Sequence, residues 1–171
     1  TIFRNIPGVK VILNNEWTAM TGGQPSPTSP ANLAGDPNVF DLNASLKAHG
    51  ANVVEVSGYD KKGLEKALKN SLTAAASGTF TTLVVTGTCI RKMPKEAHGL
   101  KLEVDADLCK RCGLCQICPG IGQDTEGWPE FTNLCSGCAG ENPACLQMCP
   151  FKAMSLDETA GGKTEKAVVE Y

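Results

Sequence analysis

Eight of the nine cysteines fall into two short blocks, and each block ends in Cys-Pro. The first block, Cys109–Pro119, has the spacing C-x2-C-x2-C-x2-C-P. The second block, Cys135–Pro150, has a C-x2-C pair, a six-residue spacer and a C-x3-C-P element. Thiolates are strong ligands for soft and borderline metals, so cysteines at this spacing indicate a metal centre. This part of the chain must therefore fold around what its cysteines bind.

The paired blocks resemble those of bacterial two-cluster ferredoxins, in which the last cysteine of each block ligates the other block's cubane. The resemblance implies one 4Fe–4S cluster on Cys109, Cys112, Cys115 and Cys149. It implies a second 4Fe–4S cluster on Cys135, Cys138, Cys145 and Cys118. It also predicts an α+β ferredoxin-like domain over residues 105–157. The segment has few large apolar residues, so we expect the clusters to serve as most of its core.

Two departures from the ferredoxin pattern leave the number of full clusters open. The first block has two residues before its Cys-Pro where three are usual, which shortens the reach of Cys118. The insertion Ala139–Ala144 in the second block is rich in turn-forming residues and can loop out. One damaged or three-iron site is therefore an alternative to two full cubanes.

Zinc and disulfides would also account for closely spaced cysteines. Structural zinc uses pairs of C-x2-C, which leaves the third close cysteine of the first block without a role. Disulfides require an oxidising compartment, whereas the first residues do not resemble a secretory signal. We therefore expect a cytoplasmic protein. The net charge is −2, without a basic block or a long apolar run, so neither nucleic acid nor a membrane is an expected partner.

The sequence before the cysteines alternates between strand and helix patterns. Strands are predicted at Gly8–Leu13, Asn52–Val56 and Thr81–Thr86. A helix is predicted from about Val39 to His49, and Gly50 closes it. A positive imidazole at His49 would interact favourably with the dipole at the end of this helix. Asp60 is predicted to cap a second helix. Its predicted apolar face consists of Leu64, Leu68 and Leu72, and its solvated face of the lysines at positions 61, 62, 66 and 69.

This alternation predicts a parallel sheet, in which ligands bind beyond the carboxyl ends of the strands. Residues 15–36 follow the first strand and form a segment longer than an ordinary connecting loop in a compact domain. This length indicates a functional loop. The strand Val9–Leu13 would form an open edge. We therefore expect further strands from the natural polypeptide or from a partner chain.

The run Val11–Pro30, with its Asn-Asn and Met-Thr-Gly-Gly-Gln elements, resembles the thiamine-diphosphate domain of 2-oxoacid:ferredoxin oxidoreductases. The likeness continues through Gly50-Ala51 and the strand before Cys89. A thiamine domain followed by a ferredoxin domain is similar to the indolepyruvate type of this family. The resemblance implies a partial thiamine domain over 1–88, a linker over 89–104 that includes His98, and a tail over 158–171. A short tail strand is predicted at Ala167–Tyr171.

The resemblance also implies roles for residues of the first loop. Asn15 would bind Mg²⁺ through its side-chain oxygen and Trp17 through its backbone carbonyl, and oxygen is the ligand that Mg²⁺ prefers. Thr18, Met20 and Thr21 would line the thiamine diphosphate. The family's Gly-Asp-Gly element would lie upstream of Thr1, so we expect the chain to hold half of the coenzyme site. Cys89 is expected to be a buried thiol or to lie near the coenzyme, and Trp128 to pack in the fold or to shield a cluster.

The implied activity is oxidative decarboxylation of a 2-oxoacid to acyl-CoA and CO₂. Electrons would pass through the two 4Fe–4S clusters to external ferredoxin. The implied partners are coenzyme A and the segments or subunits that complete the thiamine site, and no catalytic residue is assigned. The alternative is a non-catalytic iron–sulfur subunit of a larger redox complex.

Overall fold

The computed structural model describes residue 4 and residues 6–92, 102–132, 134–135, 137–140 and 143–156. The chain forms two compact units, Thr1–Lys92 and Met93–Tyr171. His98 and the predicted tail strand Ala167–Tyr171 lie outside the described residues. No helix in the described part of the chain is long and apolar enough to cross a membrane.

The first unit is built on a three-stranded parallel sheet. Its strands are β1 (Gly8–Asn14), β4 (Asn52–Ser57) and β5 (Phe80–Thr86), in the order β1-β5-β4. The central strand is buried from Thr81 to Val85. An unbroken run of apolar and β-branched residues is typical of a parallel strand covered on both faces. The predicted parallel sheet is confirmed, and β1 lies at an edge of the sheet as the sequence predicts.

Two very short strands follow β1. They are β2 (Trp17–Thr18) and β3 (Gln24–Pro25), which pair antiparallel. The chain then continues without regular structure, apart from a single bridge between Ala31 and Pro37, to the first helix.

The first helix, α1, spans Leu42–Ala48, three residues shorter at its start than the sequence predicts. Asp41 is its N-cap, and its Oδ1 accepts a hydrogen bond from the amide of Ala44 at 2.9 Å. This cap fixes the start of the helix, so the predicted start at Val39 is wrong. His49 is the C-cap, and Gly50 follows with a φ of +79°, which confirms that the helix closes at a left-handed glycine.

The second helix, α2, spans Lys61–Ala76 and packs on all three strands. Asp60 is its N-cap as predicted, with Oδ1 accepting from the amide of Gly63 at 2.9 Å. The predicted leucine face is wrong, because Leu72 is 55% exposed while Ser71 is only 3% exposed. Steps of four residues rotate by about 40° per step around a helix, so a row of such leucines leaves the buried face. The lysines at positions 61, 62, 66 and 69 are exposed as predicted.

The second unit contains two antiparallel strand pairs and a short helix. Strand β6 (Leu102–Val104) pairs with β9 (Met154–Leu156), and β7 (Ile121–Gln123) pairs with β8 (Pro129–Phe131). Helix α3 spans Ala144–Met148. The strand β6 lies inside the segment that the sequence assigns to a linker. The buried residues that pack together here are Leu102, Cys115, Ile121, Cys145 and Met154.

Candidate metal centres and cofactor loop

Four cysteines line one pocket in the second unit. They are Cys109, Cys112, Cys115 and Cys149. The first three belong to the first block, whereas Cys149 ends the second block. The pocket wall also contains Gly113, whose φ is +74°. The structure therefore brings together the first predicted ligand set, with its fourth member from the other block.

The remaining cysteines of the two blocks form a second group. Burial raises the pKa of Cys138, and the neighbouring thiols of Cys118 and Cys135 raise it further. Burial also raises the pKa of Cys145 to about 11, with smaller contributions from Cys138 and Cys135. Cys118 comes from the first block and the other three from the second. Each group thus combines three cysteines of one block with the last cysteine of the other.

The electrostatics of these groups favour protonated thiols unless a cation is bound. Burial raises the pKa of Cys115, and the thiols of Cys112, Cys149 and Cys109 add to the effect. Several thiolates can be negative together in such a place only when a metal offsets their repulsion. Among the described residues, no three Cys, His, Asp or Glu side chains lie close enough to hold one metal ion.

All nine cysteines lie in the described part of the chain, and each is a free thiol. Backbone amides point at some of the sulfurs, as in the contact of the Ala153 amide with Cys149 Sγ at 3.4 Å. Backbone hydrogen bonds from Ala144 and Leu146 partly offset the raised pKa of Cys138 and Cys145. Such contacts stabilise negative charge on sulfur. The donors therefore fit a positively charged group that binds thiolates.

Trp128 packs on a side chain of the cysteine pocket. The guanidinium carbon of Arg111 lies 4.2 Å from the centroid of the Trp128 ring, and Arg111 Nη1 donates to the carbonyl of Glu126 at 3.2 Å. Arg111 itself lines the pocket of the first cysteine group. The indole thus supports the pocket through Arg111.

In the first unit, the predicted coenzyme residues lie in the loop at the carboxyl end of β1. We call residues 15–24 the cofactor loop. Asn15 Oδ1 accepts a hydrogen bond from the Trp17 amide at 3.2 Å, and the Asn15 carbonyl accepts one from the Cys89 amide at 3.0 Å. Cys89 is partly buried. Its backbone therefore lies against the cofactor loop.

Glu16 lies between the two predicted Mg²⁺ ligands and has a φ of +65°. Its amide donates to Asn14 Oδ1 at 3.1 Å, and its carbonyl accepts from the hydroxyl groups of Ser26 and Ser29. Its carboxylate accepts from Thr88 Oγ1 at 2.6 Å. A non-glycine residue in this backbone region persists where its surroundings hold it, and these are often binding sites.

The other predicted coenzyme residues differ in burial. Trp17 is only 6% exposed, whereas Met20 is 98% exposed and Thr18 and Thr21 are exposed as well. The Asn15 side chain and the Trp17 carbonyl provide two hard oxygen donors in one turn. They fit the chemistry of Mg²⁺ but supply only part of an octahedral ligand set.

A pocket of about 370 Å³ lies beside the cofactor loop, over the carboxyl ends of the three parallel strands. Its walls include Asn14 of β1, Glu55 of β4 and Thr86 of β5. Thr86 Oγ1 donates to one carboxylate oxygen of Glu55 at 3.0 Å, and Asn43 Nδ2 donates to the other at 2.5 Å. Open parallel sheets bind ligands at this end.

Several residues that hold the cofactor loop were not singled out from the sequence. They are Ser26, Ser29 and Thr88. Thr88 and Glu16 are 72 positions apart in the chain, so no local pattern relates them. The Ser-Pro-Thr-Ser run was a visible signal for an ordered loop, but it does not specify which carbonyl the serines bind.

Comparisons with known proteins find a family match for the first unit and relatives that cover most of the chain. Residues 1–85 match the family described as thiamine pyrophosphate enzyme, C-terminal TPP binding domain. The chain is 30% identical over 154 residues to indolepyruvate oxidoreductase subunit IorA of Methanothermobacter thermautotrophicus, covering 85% of this chain and 23% of the relative. It is 31% identical over 153 residues to IorA of Thermococcus kodakarensis, covering 84% and 23%.

A third IorA, from Archaeoglobus fulgidus, is 25% identical over 158 residues, covering 90% of this chain and 25% of the relative. The chain thus spans about a quarter of the length of these curated relatives. Because the matches cover more of the chain than residues 1–85, they extend into the unit that carries the cysteine groups.

Proposed function

Since the chain belongs with the thiamine pyrophosphate enzymes and is related over most of its length to the carboxyl-terminal part of IorA subunits, we propose that it is part of a 2-oxoacid:ferredoxin oxidoreductase. The proposed reaction is oxidative decarboxylation of a 2-oxoacid, of the indolepyruvate type, to acyl-CoA and CO₂. Electrons leave to external ferredoxin. A reducing compartment such as the cytoplasm suits cysteines that bind clusters as thiolates.

The grouping of eight thiols into two sets of four is the observation that carries the electron-transfer half of the proposal. Each set takes one cysteine from the other block, which is the ligand pattern of two-cluster ferredoxins. Cys109, Cys112, Cys115 and Cys149 would hold one 4Fe–4S cluster. Cys135, Cys138, Cys145 and Cys118 would hold the other. When bound, the clusters supply one-electron transfer, and the antiparallel pairs β6–β9 and β7–β8 support a ferredoxin-like fold around them.

The cofactor loop carries the other half of the proposal. Asn15 Oδ1 and the Trp17 carbonyl would bind Mg²⁺ with the diphosphate, and the residues lining the coenzyme would be Thr18, Met20 and Thr21. Bound thiamine diphosphate supplies carbanion stabilisation after loss of CO₂. The exposure of Met20 supports completion of this site by other segments or subunits of the oxidoreductase.

The magnesium role can be tested by replacing Asn15 in the full-length subunit within its complex. Asn15→Ala removes an oxygen ligand, and we expect at least a tenfold loss of Mg²⁺-dependent thiamine diphosphate affinity and of turnover. Asn15→Asp retains an oxygen at the same place and should recover part of the affinity. Asn70→Ala, on the exposed side of α2, is the matched control. Calorimetric titration with the coenzyme measures the affinity, and turnover with indolepyruvate measures the activity.

Unchanged turnover in Asn15→Ala would refute the magnesium role. If the wild-type complex held both clusters but bound no thiamine diphosphate, the chain would instead be the non-catalytic iron–sulfur subunit. Iron and acid-labile sulfide measured on the same sample separate these outcomes.

A further inference from the structure

Lys92 contacts the cofactor loop from a distant part of the sequence. Its Nζ lies 4.5 Å from the centroid of the Trp17 ring. The lysine ends the 3₁₀ helix Ile90–Lys92, and its amide donates to the Cys89 carbonyl at 2.8 Å. An ammonium over an indole face is attracted by the ring quadrupole, more strongly where water is excluded. Trp17 is buried and Lys92 is partly buried, so this contact is partly shielded from water.

The same side chain also fills the space beside Gly23 at the other end of the loop. A Cβ atom built on Gly23 would lie 2.5 Å from Lys92 Cε. Gly23 has a φ of +74°, a backbone conformation that favours glycine. Its lack of a Cβ atom leaves room for the Lys92 side chain. One lysine therefore touches the loop near its start, at Trp17, and near its end, at Gly23.

Hydrogen bonds fix the position of the segment that leads from β5 to Lys92. After β5, the amide of Gly87 donates to the Asn14 carbonyl and the amide of Cys89 donates to the Asn15 carbonyl, each at 3.0 Å. Thr88 Oγ1 binds the Glu16 carboxylate between them. These bonds hold residues 14–16 directly. The loop beyond residue 16 is contacted from this segment through the Lys92 side chain.

We propose that Lys92 is a positioning residue that holds the cofactor loop in the conformation that binds Mg²⁺ and thiamine diphosphate. The proposal rests on the proposed function, which assigns this loop to the coenzyme. A loop that is already ordered loses less conformational freedom when its ligand binds. Loss of the Lys92 contact should therefore weaken coenzyme affinity and leave turnover at saturating coenzyme unchanged.

The test compares three variants of the full-length subunit in its complex. Lys92→Met retains most of the apolar volume beside Gly23 but removes the charge, and Lys92→Arg retains a cation that can stack on Trp17. Lys66→Met makes the same chemical change on the exposed side of α2. Amide hydrogen exchange of peptides covering residues 15–24 is measured without coenzyme, and coenzyme affinity and kcat are measured with it.

We expect faster exchange of the cofactor loop in Lys92→Met only, and a coenzyme Kd about three to thirty times higher with kcat unchanged. Lys92→Arg should restore most of both quantities. Unchanged loop exchange in Lys92→Met, or equal effects in Lys66→Met, would overturn the role of Lys92. If loop exchange responds but the wild-type complex binds no coenzyme, the proposed function fails and the positioning contact remains.

Discussion

Glu16 is held in a left-handed conformation that costs a non-glycine residue about 1–3 kcal/mol. Hydrogen bonds to its amide, its carbonyl and its carboxylate offset this strain. The conformation turns the chain between Asn15 and Trp17, so that the two proposed Mg²⁺ ligands lie in one turn. The hydroxyl groups of Ser26, Ser29 and Thr88 thus hold Glu16 in its strained conformation. The same conformation brings the proposed ligands on either side of it into one turn.

Gly23 and Gly35 offer a matched pair for testing the contact of Lys92 with the loop. Both have positive φ, at +74° and +86°, so alanine at either adds a backbone strain of about 1 kcal/mol. A Cβ at Gly35 meets nothing within 4 Å, whereas at Gly23 it would collide with the end of the Lys92 side chain. That side chain can move away, but in doing so it leaves Trp17.

We therefore expect Gly23→Ala to reproduce the faster loop exchange and weaker coenzyme binding of Lys92→Met, and Gly35→Ala to leave both unchanged. Because the two changes remove the same contact, Gly23→Ala combined with Lys92→Met should be little worse than either alone. Hydrogen exchange and coenzyme titration of the four variants measure this. Fully additive effects would contradict a shared contact.

At the scale of elements, local signals predict the order of strands and helices but not which side of a helix is buried. Asp60 and Gly50 mark helix ends through hydrogen bonds and backbone preferences that act within a few residues, and the structure confirms both. The burial of Ser71 in place of Leu72 depends on how α2 packs across three strands, which is a tertiary property. Leucine spacing alone therefore misplaced the buried face.

Within the second unit, β7 begins directly after a glycine that lies against the second cysteine block. Gly120 is buried, and its carbonyl accepts the amide of Thr132 at 3.1 Å. A Cβ on Gly120 would lie 2.8 Å from the Cα atom of Cys135, a backbone atom that cannot rotate away. Gly122, two positions later in β7, has nothing within 4 Å of its Cβ position. Only the first of these glycines is needed for the close approach of the two blocks.

We expect Gly120→Ala to disturb the cysteine group that contains Cys135 and Cys118, and Gly122→Ala to leave both groups intact. Iron content should fall from about eight to about four atoms per chain in Gly120→Ala, because one 4Fe–4S cluster is lost. Iron and acid-labile sulfide assays on anaerobically prepared protein measure this. Full iron content in Gly120→Ala would show that the close approach is not required.

For the whole molecule, the parts of the site that the sequence predicted are those with fixed local spacing. The cysteines within a block indicate a metal centre through their separation along the chain, and Asn15 was found through a run that resembles a known family. The bonds that order the cofactor loop join residues 14–16, at and just after the end of β1, to the segment after β5, about seventy positions away. Such pairs are set by the register of β1 against β5, which no short motif encodes.

Each cysteine group in the second unit takes its fourth member from the other block, and the proposed ligation of one cluster by each group can be tested directly. If each block held its own cluster, Cys118→Ser would damage the site of Cys109, Cys112 and Cys115. In the arrangement observed, Cys118 lies with the second block and Cys149 with the first. Cys118→Ser should therefore disturb the metal site of the second block, and Cys149→Ser should disturb the metal site of the first block.

We expect each variant to retain about four of about eight iron atoms per chain, with opposite local consequences. Cys149→Ser should speed amide exchange in peptides covering residues 109–115, and Cys118→Ser in those covering 135–145, because an unligated cysteine group loses the centre that orders it. Cys89→Ser, in the first unit, should leave the iron content unchanged. Faster exchange confined to each cysteine's own block would show that the ligands are not exchanged, and the second unit would then consist of two independent metal loops.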